Sequence, residues 1–191
     1  MNLANKLTIF RMILVPFFVV FLLTDFTAAN KIIALIIFIV ATITDKLDGT
    51  IAKRTGTVTN FGKFMDPMAD KLLCCSALVC LCSMGYISSW IVLIIIGREF
   101  AISGIRQIAA DNGVAIAASK WGKAKTVAQM AMIIVLLFKN AVPYPHIQLT
   151  PDTGYSIYIN ADIFIFAAVI LTVISLVDYI VKNRKVLTIT E

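Results

Sequence analysis

Six mostly apolar stretches, separated by short polar segments, account for most of this 191-residue chain. Hydrophobic residues make up 60% of the sequence and charged residues 15%, which excludes an ordinary soluble domain. A membrane-spanning helix needs about 20 apolar residues, so the chain has room for about six spans. The sequence therefore predicts an all-α, polytopic integral membrane protein, with a six-helix bundle formed by a single domain over residues 1–191.

The limits of the apolar stretches give the predicted helices and their orientation. In chain order the helices cover about residues 7–23, 31–53, 64–84, 90–110, 126–138 with a polar lead-in from 120, and 163–181. Basic residues concentrate at one set of helix ends, from Lys6 and Arg11 at the start to Lys182 and Arg184 in the tail. The positive-inside rule therefore predicts cytoplasmic termini, with the long 139–162 loop on the outer side.

Four aspartates, Asp45, Asp48, Asp66 and Asp70, lie near the predicted cytoplasmic ends of helices two and three. The first two are spaced i,i+3 and the second two i,i+4, so on helices each pair shares one face. Carboxylates near hydrocarbon are costly unless they are paired, hydrated or bound to a cation. Oxygen ligands without histidine or cysteine favour Mg²⁺ or Mn²⁺. Four carboxylates are enough for two metal ions, the arrangement used for phosphoryl displacement.

A short segment joins helices two and three, so we expect antiparallel neighbours that bring the two aspartate pairs to one pocket. Gly49 and Ala52 fall on the face of the first pair, and Gly62 precedes Asp66 by one turn. Small residues there would let a ligand lie close to the helix backbone. The alternative is an interfacial ring of charges in which the aspartates pair with nearby lysines. Those lysines are Lys46, Lys53, Lys63 and Lys71.

The string Asp45-x2-Asp48-Gly49-x2-Ala52-x9-Gly62-x3-Asp66-x3-Asp70 resembles the signature of the CDP-alcohol phosphotransferases. The resemblance implies a six-helix membrane enzyme that transfers a substituted phosphate from a CDP-alcohol to an acceptor hydroxyl. It also implies that the four aspartates bind metal and that Asp70 serves as the base. Lys53 stands where the family has arginine, and Arg54 follows it, so either cation is a candidate for the pyrophosphate.

Cytidine diphosphate binding is the second role that the resemblance implies. From the motif region the candidates are Gly49, Ala52, Lys53, Arg54, Thr59 and Gly62, and from helix one they are Asn5 and Thr8. The polar side chains of helix one could equally form ordinary interhelical hydrogen bonds.

A group of basic residues later in the chain predicts a socket for a phosphate-bearing acceptor. Arg98 lies about two turns inside an apolar span, where an unpaired guanidinium is costly, and Arg106 follows near the same helical face. The remaining candidates are Lys120, Lys123, Thr126 and Arg11, of which Arg11 is also a candidate for the nucleotide. The alternatives are a salt bridge between Arg98 and Glu99 or a motif aspartate, and a solvated or lipid-facing loop for the lysines.

Together with Asn5-x2-Thr8-x2-Arg11, these residues resemble the family branch whose acceptor is sn-glycerol 3-phosphate. That branch transfers the phosphatidyl group of CDP-diacylglycerol to this acceptor, giving phosphatidylglycerol phosphate and CMP. The resemblance implies a homodimer, and no nucleic-acid partner is expected. The small size and the absence of a transit peptide favour a bacterial inner or plasma membrane, and the positive-inside rule predicts a site that faces the cytoplasm. Inositol phosphate or phosphatidylglycerol as acceptor is the alternative within the family. A divalent-cation transporter is a remote alternative, because transporters place their site near the midplane between related halves.

Overall fold

The computed structural model describes residues 3–55, 60–111, 113, 116, 119–142, 146–148, 156–158 and 160–184. Side chains are described for residues 6–44, 68, 69, 71–110, 113, 116, 119–142 and 160–184. Within this part of the chain the predicted class is confirmed, because six α-helices form nearly all of the regular structure. They are α1 (Leu3–Leu23), α2 (Asn30–Thr55), α3 (Asn60–Ser83), α4 (Ser89–Asp111), α5 (Lys120–Ala141) and α6 (Ala161–Lys182).

The helices extend beyond the apolar stretches that predict them. α3 begins four residues before the predicted start at 64, and α5 includes the whole polar lead-in. Ser119 caps α5, since its Oγ accepts a hydrogen bond from the backbone N–H of Gly122 at 3.1 Å. Hydrophobic periodicity detects the face that is buried, whereas a capped polar first turn needs no apolar residue to be helical.

The long 139–162 segment was expected to be a loop, and this expectation is wrong for residues 139–141 in α5, for 161–162 in α6 and for six residues between them. Two short strands, β1 (His146–Gln148) and β2 (Ser156–Tyr158), pair in antiparallel fashion with Ile147 opposite Ile157. Isoleucine and tyrosine favour the extended backbone at such paired positions. Runs of three residues are too short to show the alternation from which a strand can be predicted.

Three helical segments are long and apolar enough to cross a membrane, namely Lys6–Leu23, Lys120–Ala141 and Ala161–Lys182. Shorter apolar segments, Asn30–Thr44 and Lys71–Ser83, lie within α2 and α3. These features describe a helical membrane protein. Six spans, cytoplasmic termini and an outer loop stay predictions.

The chain forms two compact units, and the single domain over 1–191 stays a prediction. The first unit comprises residues 1–86 and 134–159, and the second comprises 87–133 and 160–191. In the first unit α1 packs against both α2 and α3, and in the second α4 packs against α6.

In the first unit a polar turn aligns α1 with α2. Asn30 accepts hydrogen bonds from the backbone and hydroxyl of Thr27 at 3.1 and 2.6 Å, and its amide donates to the carbonyl of Thr24 at 2.8 Å. α2 therefore turns back along α1, and the rings of Phe18 and Phe38 meet with centroids 5.7 Å apart. The two helices are antiparallel, and this ring contact fixes which of their residues lie at the same level.

Candidate functional site

The two aspartate positions of α2 continue the buried face of that helix. Its described buried residues, spaced four, four and three apart, are Asn30, Ala34, Phe38 and Ala41. Further steps of four and three along the same helix reach Asp45 and Asp48, and another step of four reaches Ala52. Their side chains lie outside the described part of the chain, so the metal-binding role of the aspartates stays a prediction.

The aspartate positions of α3 are likewise in register with buried residues, which here lie after them along the helix. Ala69, Leu73 and Ala77 are buried and lie on one side of this helix. Three residues before Ala69 is Asp66, and three residues before Leu73 is Asp70. Both positions therefore continue the helical spacing of these buried residues, and their carboxylates lie outside the described side chains.

Two polar residues of α1 lie level with the aspartates of α2. Because α1 and α2 are antiparallel and meet at Phe18 and Phe38, every step back along α1 matches an equal step forward along α2. Counting from that contact, Arg11 is level with Asp45. By the same count Thr8 is level with position 48. Thr8 and Arg11 are both fully buried.

The other predicted nucleotide-binding residues cannot be tested on their side chains. Gly49, Ala52, Lys53 and Arg54 fall within the helical backbone of α2, and Asn5 and Gly62 fall within α1 and α3, but their side chains lie outside the described part. Thr59 lies outside the described residues altogether. Among the residues whose side chains are described, no cluster of histidine, cysteine, aspartate and glutamate could hold a metal ion.

The second unit contains a buried cluster of charges centred on Arg98. Its side chain is 8% exposed, its Nε donates to Ser175 Oγ at 3.0 Å, and its Nη1 lies 3.4 Å from Glu99 Oε1. The same carboxylate oxygen pairs with Lys125, which is fully buried. The alternative salt bridge to Glu99 is therefore present. Two buried cations, Arg98 and Lys125, thus share the carboxylate of Glu99.

Arg106 adds a third cation beside this cluster. Its guanidinium lies over the ring of Tyr179, with Cζ 5.6 Å from the ring centroid. Arg106 and Tyr179 both lie close enough to Arg98 to interact with it electrostatically. The structure therefore brings the two predicted arginines of α4 together on the side of α4 that faces α6.

The predicted residues of α5 lie beside the same cluster and are exposed. A β-carbon placed at Gly122 would lie 3.6 Å from Arg98 Nη2, so the first turn of α5 runs alongside this guanidinium. Lys120 and Lys123 project from this exposed turn. Thr126 is exposed too, and its hydroxyl donates to the carbonyl of Gly122 at 3.1 Å. The exposure of these lysines is consistent with both roles considered for them, namely phosphate binding and a solvated loop.

Sequence reasoning missed Lys125, Ser175 and Tyr179. Lys125 belongs to the basic lead-in of α5, but the sequence does not show that it is the lysine that points inward. Ser175 and Tyr179 continue a buried face of α6 that also contains Ala168 and Thr172. Polar residues that recur at spacings of three and four on an apolar helix are the signal that could have found them.

The fold and these residues define a class, a helical membrane protein that combines a carboxylate motif with a buried cationic cluster. A family model described as CDP-alcohol phosphatidyltransferase matches residues 1–177. A Bacillus subtilis (strain 168) protein named CDP-diacylglycerol–glycerol-3-phosphate 3-phosphatidyltransferase is 36% identical, with 97% of each chain covered. A protein of the same name from Salmonella paratyphi A is 39% identical, with 96% of this chain and 95% of the relative covered.

A third relative with that name, from Yersinia pestis (strain Pestoides F), is 36% identical over 94% of this chain and 93% of its own. The chain belongs to the CDP-alcohol phosphatidyltransferase family. The family resemblance predicted from the aspartate string is thereby confirmed.

Proposed function

We propose that this protein transfers the phosphatidyl group of CDP-diacylglycerol to sn-glycerol 3-phosphate, giving phosphatidylglycerol phosphate and CMP. Family membership supports the transferase reaction, and relatives named for this donor and acceptor match nearly the whole chain. The observation that carries the choice of acceptor is the buried cluster in which Arg98 and Lys125 share the carboxylate of Glu99.

The buried cations Arg98 and Lys125 favour an acceptor that itself carries a phosphate. Cations removed from water destabilise the protein unless anions compensate them, and a dianionic phosphate is suited to that role. Ser175 and Glu99 hold the Nε and Nη1 of Arg98, while Nη2 faces the first turn of α5. A guanidinium fixed in this way offers its remaining N–H groups in a set direction, as phosphate recognition requires.

The aspartate motif is proposed to hold the divalent metal ions that this family uses. The donor set fits, because the four positions are in register with buried residues of α2 and α3 and supply only oxygen ligands, which suit Mg²⁺ or Mn²⁺. Asp45, Asp48, Asp66 and Asp70 would be the ligands of one or two ions. When bound, such ions neutralise pyrophosphate charge and the charge that develops on the leaving group.

Asp70 is proposed as the base for the acceptor. The glycerol 1-hydroxyl attacks the phosphorus that bears diacylglycerol, a new P–O bond forms, and the bond to the bridging oxygen breaks. CMP leaves with that electron pair, and the hydroxyl proton passes to Asp70. A carboxylate near cations is a weak base, so we expect this proton to move late in the step.

The nucleotide is proposed to lie against the motif. Gly49, Ala52 and Gly62 would let it approach the helix backbones, with Lys53 or Arg54 near the pyrophosphate and Thr59, Asn5 and Thr8 as further polar contacts. The burial of Arg11 and its level beside position 45 support the donor pyrophosphate, rather than the acceptor, as its partner. We further propose a homodimer in a bacterial inner membrane whose site faces the cytoplasm.

The test is CMP release by detergent-purified protein given CDP-diacylglycerol, Mg²⁺ or Mn²⁺, and sn-glycerol 3-phosphate. We expect release that requires both metal and acceptor and is lost in Asp66→Asn. Release that occurs only with inositol phosphate or phosphatidylglycerol would keep the family and overturn the acceptor. Absence of release with all three acceptors, from protein that elutes as a single species in detergent, would overturn the proposed reaction.

A further inference from the structure

Exposed basic residues gather at one end of the second unit, where α5 begins and α6 ends. Asp178 of α6 connects these two helix ends, because its Oδ1 lies 2.6 Å from Lys182 Nζ and its carboxylate is also a hydrogen-bond partner of Ser119. Two basic residues follow Ser119 within four positions, and Arg184 follows Lys182. The exposed basic cluster therefore comprises Lys120, Lys123, Lys182 and Arg184.

An exposed apolar stripe on α6 leads to this cluster. Its four side chains, spaced four, three and four apart and between 38% and 61% exposed, are Ile170, Ile174, Val177 and Val181. Lys182 follows the last of them directly. The stripe extends over about 16 Å of helix, close to the hydrocarbon thickness of one leaflet, about 15 Å. It therefore has the length of the acyl-chain region on one side of a bilayer.

Trp121 indicates that the basic cluster lies at the level of lipid headgroups. It stands in the first turn of α5 beside Lys120 and is 45% exposed. Tryptophan is enriched where headgroups meet hydrocarbon, and lysine and arginine extend from this level toward lipid phosphates. Apolar contacts along α6 with cations at its end complement a phospholipid whose headgroup carries a net negative charge.

We propose that this face of the second unit is a binding site for an anionic phospholipid of the surrounding membrane, one that is neither donor nor acceptor in the proposed reaction. The lipid phosphate contacts the exposed basic cluster, and one acyl chain lies along the apolar stripe of α6. Because charge contributes to binding in addition to apolar contact, a zwitterionic lipid with the same acyl chains binds more weakly.

Quenching of Trp121 fluorescence by brominated lipid tests this proposal. The chain contains two tryptophans, so Trp90→Phe leaves Trp121 as the only reporter. This protein is reconstituted, without CDP-diacylglycerol, into phosphatidylcholine vesicles that contain rising fractions of brominated phosphatidylserine or brominated phosphatidylcholine. Phosphatidylserine carries a net negative charge and is not a candidate acceptor. The ratio of the two binding constants gives the preference for anionic lipid.

The variants are made in this single-tryptophan protein. Lys182→Gln removes one cation of the cluster, and Lys182→Gln combined with Arg184→Gln removes both cations of α6. Lys120 and Lys123 are left in place, because they are also candidates for the acceptor phosphate. Lys139→Gln is the matched control for Lys182→Gln, since it removes an exposed cation from the last turn of α5, at the other end of that helix.

We expect the single-tryptophan protein to prefer brominated phosphatidylserine about tenfold, since each cation near a membrane surface strengthens the binding of anionic lipid severalfold. Lys182→Gln should lower this preference about threefold, and the double variant should lower it to less than about twofold. Lys139→Gln should leave it unchanged. CMP release by the double variant in detergent should stay within about twofold of the wild type, because neither residue belongs to the proposed reaction site.

Equal binding of the two brominated lipids would overturn the inference, as would a loss of preference in Lys139→Gln as large as that in Lys182→Gln. Excess sn-glycerol 3-phosphate separates this site from the acceptor site. If it relieves the quenching, the lipid phosphate occupies the acceptor site and the proposed lipid site is wrong. The proposed function is tested independently by CMP release, because the quenching assay contains no donor.

Discussion

Replacing Glu99 by glutamine should destabilise the protein by about 3 kcal/mol, because it removes the carboxylate that two buried cations share. Lys125 is fully buried and its Nζ pairs with Glu99 Oε1, whereas Arg98 keeps its bond to Ser175 when that oxygen is neutralised. The substitution therefore weakens the electrostatic compensation of both cations at once. The expected loss of stability is the usual cost of removing one partner of a buried ion pair while the other charge stays in place.

The measurement is the free energy of unfolding in detergent, followed by helical circular dichroism during denaturant titration. The matched control is Lys182→Met, which removes a pair with Asp178 whose lysine is 62% exposed. A lysine that is 62% exposed stays largely hydrated, so this pair should contribute less than the buried one. The two variants thus contrast a pair whose lysine is fully buried with a pair whose lysine is largely exposed and whose aspartate is 15% exposed.

A double variant sharpens the interpretation. Glu99→Gln combined with Lys125→Met removes both charges of the buried pair, so it should recover most of the stability lost in Glu99→Gln alone. If Glu99→Gln cost no more than Lys182→Met, or if the double variant were no more stable than the single one, the burial of this pair would be refuted.

Three further predictions concern turnover. Asp70→Asn should lower kcat for CMP release at least about a hundredfold, the usual contribution of a positioned base, without loss of the folded protein in detergent; retention of wild-type kcat would exclude Asp70 as the base. Removing divalent metal with EDTA should abolish release, and Mg²⁺ or Mn²⁺ should restore it, whereas release that persists in EDTA would contradict the metal role of the aspartates. Arg98→Lys keeps the charge but loses the planar fork held by Ser175 and Glu99, so KM for sn-glycerol 3-phosphate should rise about tenfold; an unchanged KM would show that the guanidinium does not bind the acceptor.

Much of the fold could be predicted because buried helix faces produce a regular spacing of apolar residues in the sequence. The buried residues of α1 recur at spacings of three and four, and the apolar stretches place all six helices of the described chain within a few residues. Helix starts were less accurate. α3 begins with a polar turn at Asn60, and neither that turn nor the three-residue strands carry a periodic signal.

The candidate site was predicted in part, for a related reason. Arg98 could be singled out because a guanidinium inside an apolar stretch is costly and demands partners. Its actual partners could not be predicted, because Ser175 is 77 residues away and meets it only through the packing of α4 on α6. Tyr179 was hidden for the same reason, since its relation to Arg106 exists only in the folded unit.

The cost of burying charge is the physical argument that connects both regions with their proposed ligands. In the second unit the buried cations Arg98 and Lys125 share the carboxylate of Glu99, and a phosphate is an anion suited to such a place. In the first unit the helical spacing puts the aspartate positions of α2 and α3 in register with buried residues. Because carboxylates near hydrocarbon are costly unless they are compensated, metal ions are the complement that we propose for these four residues.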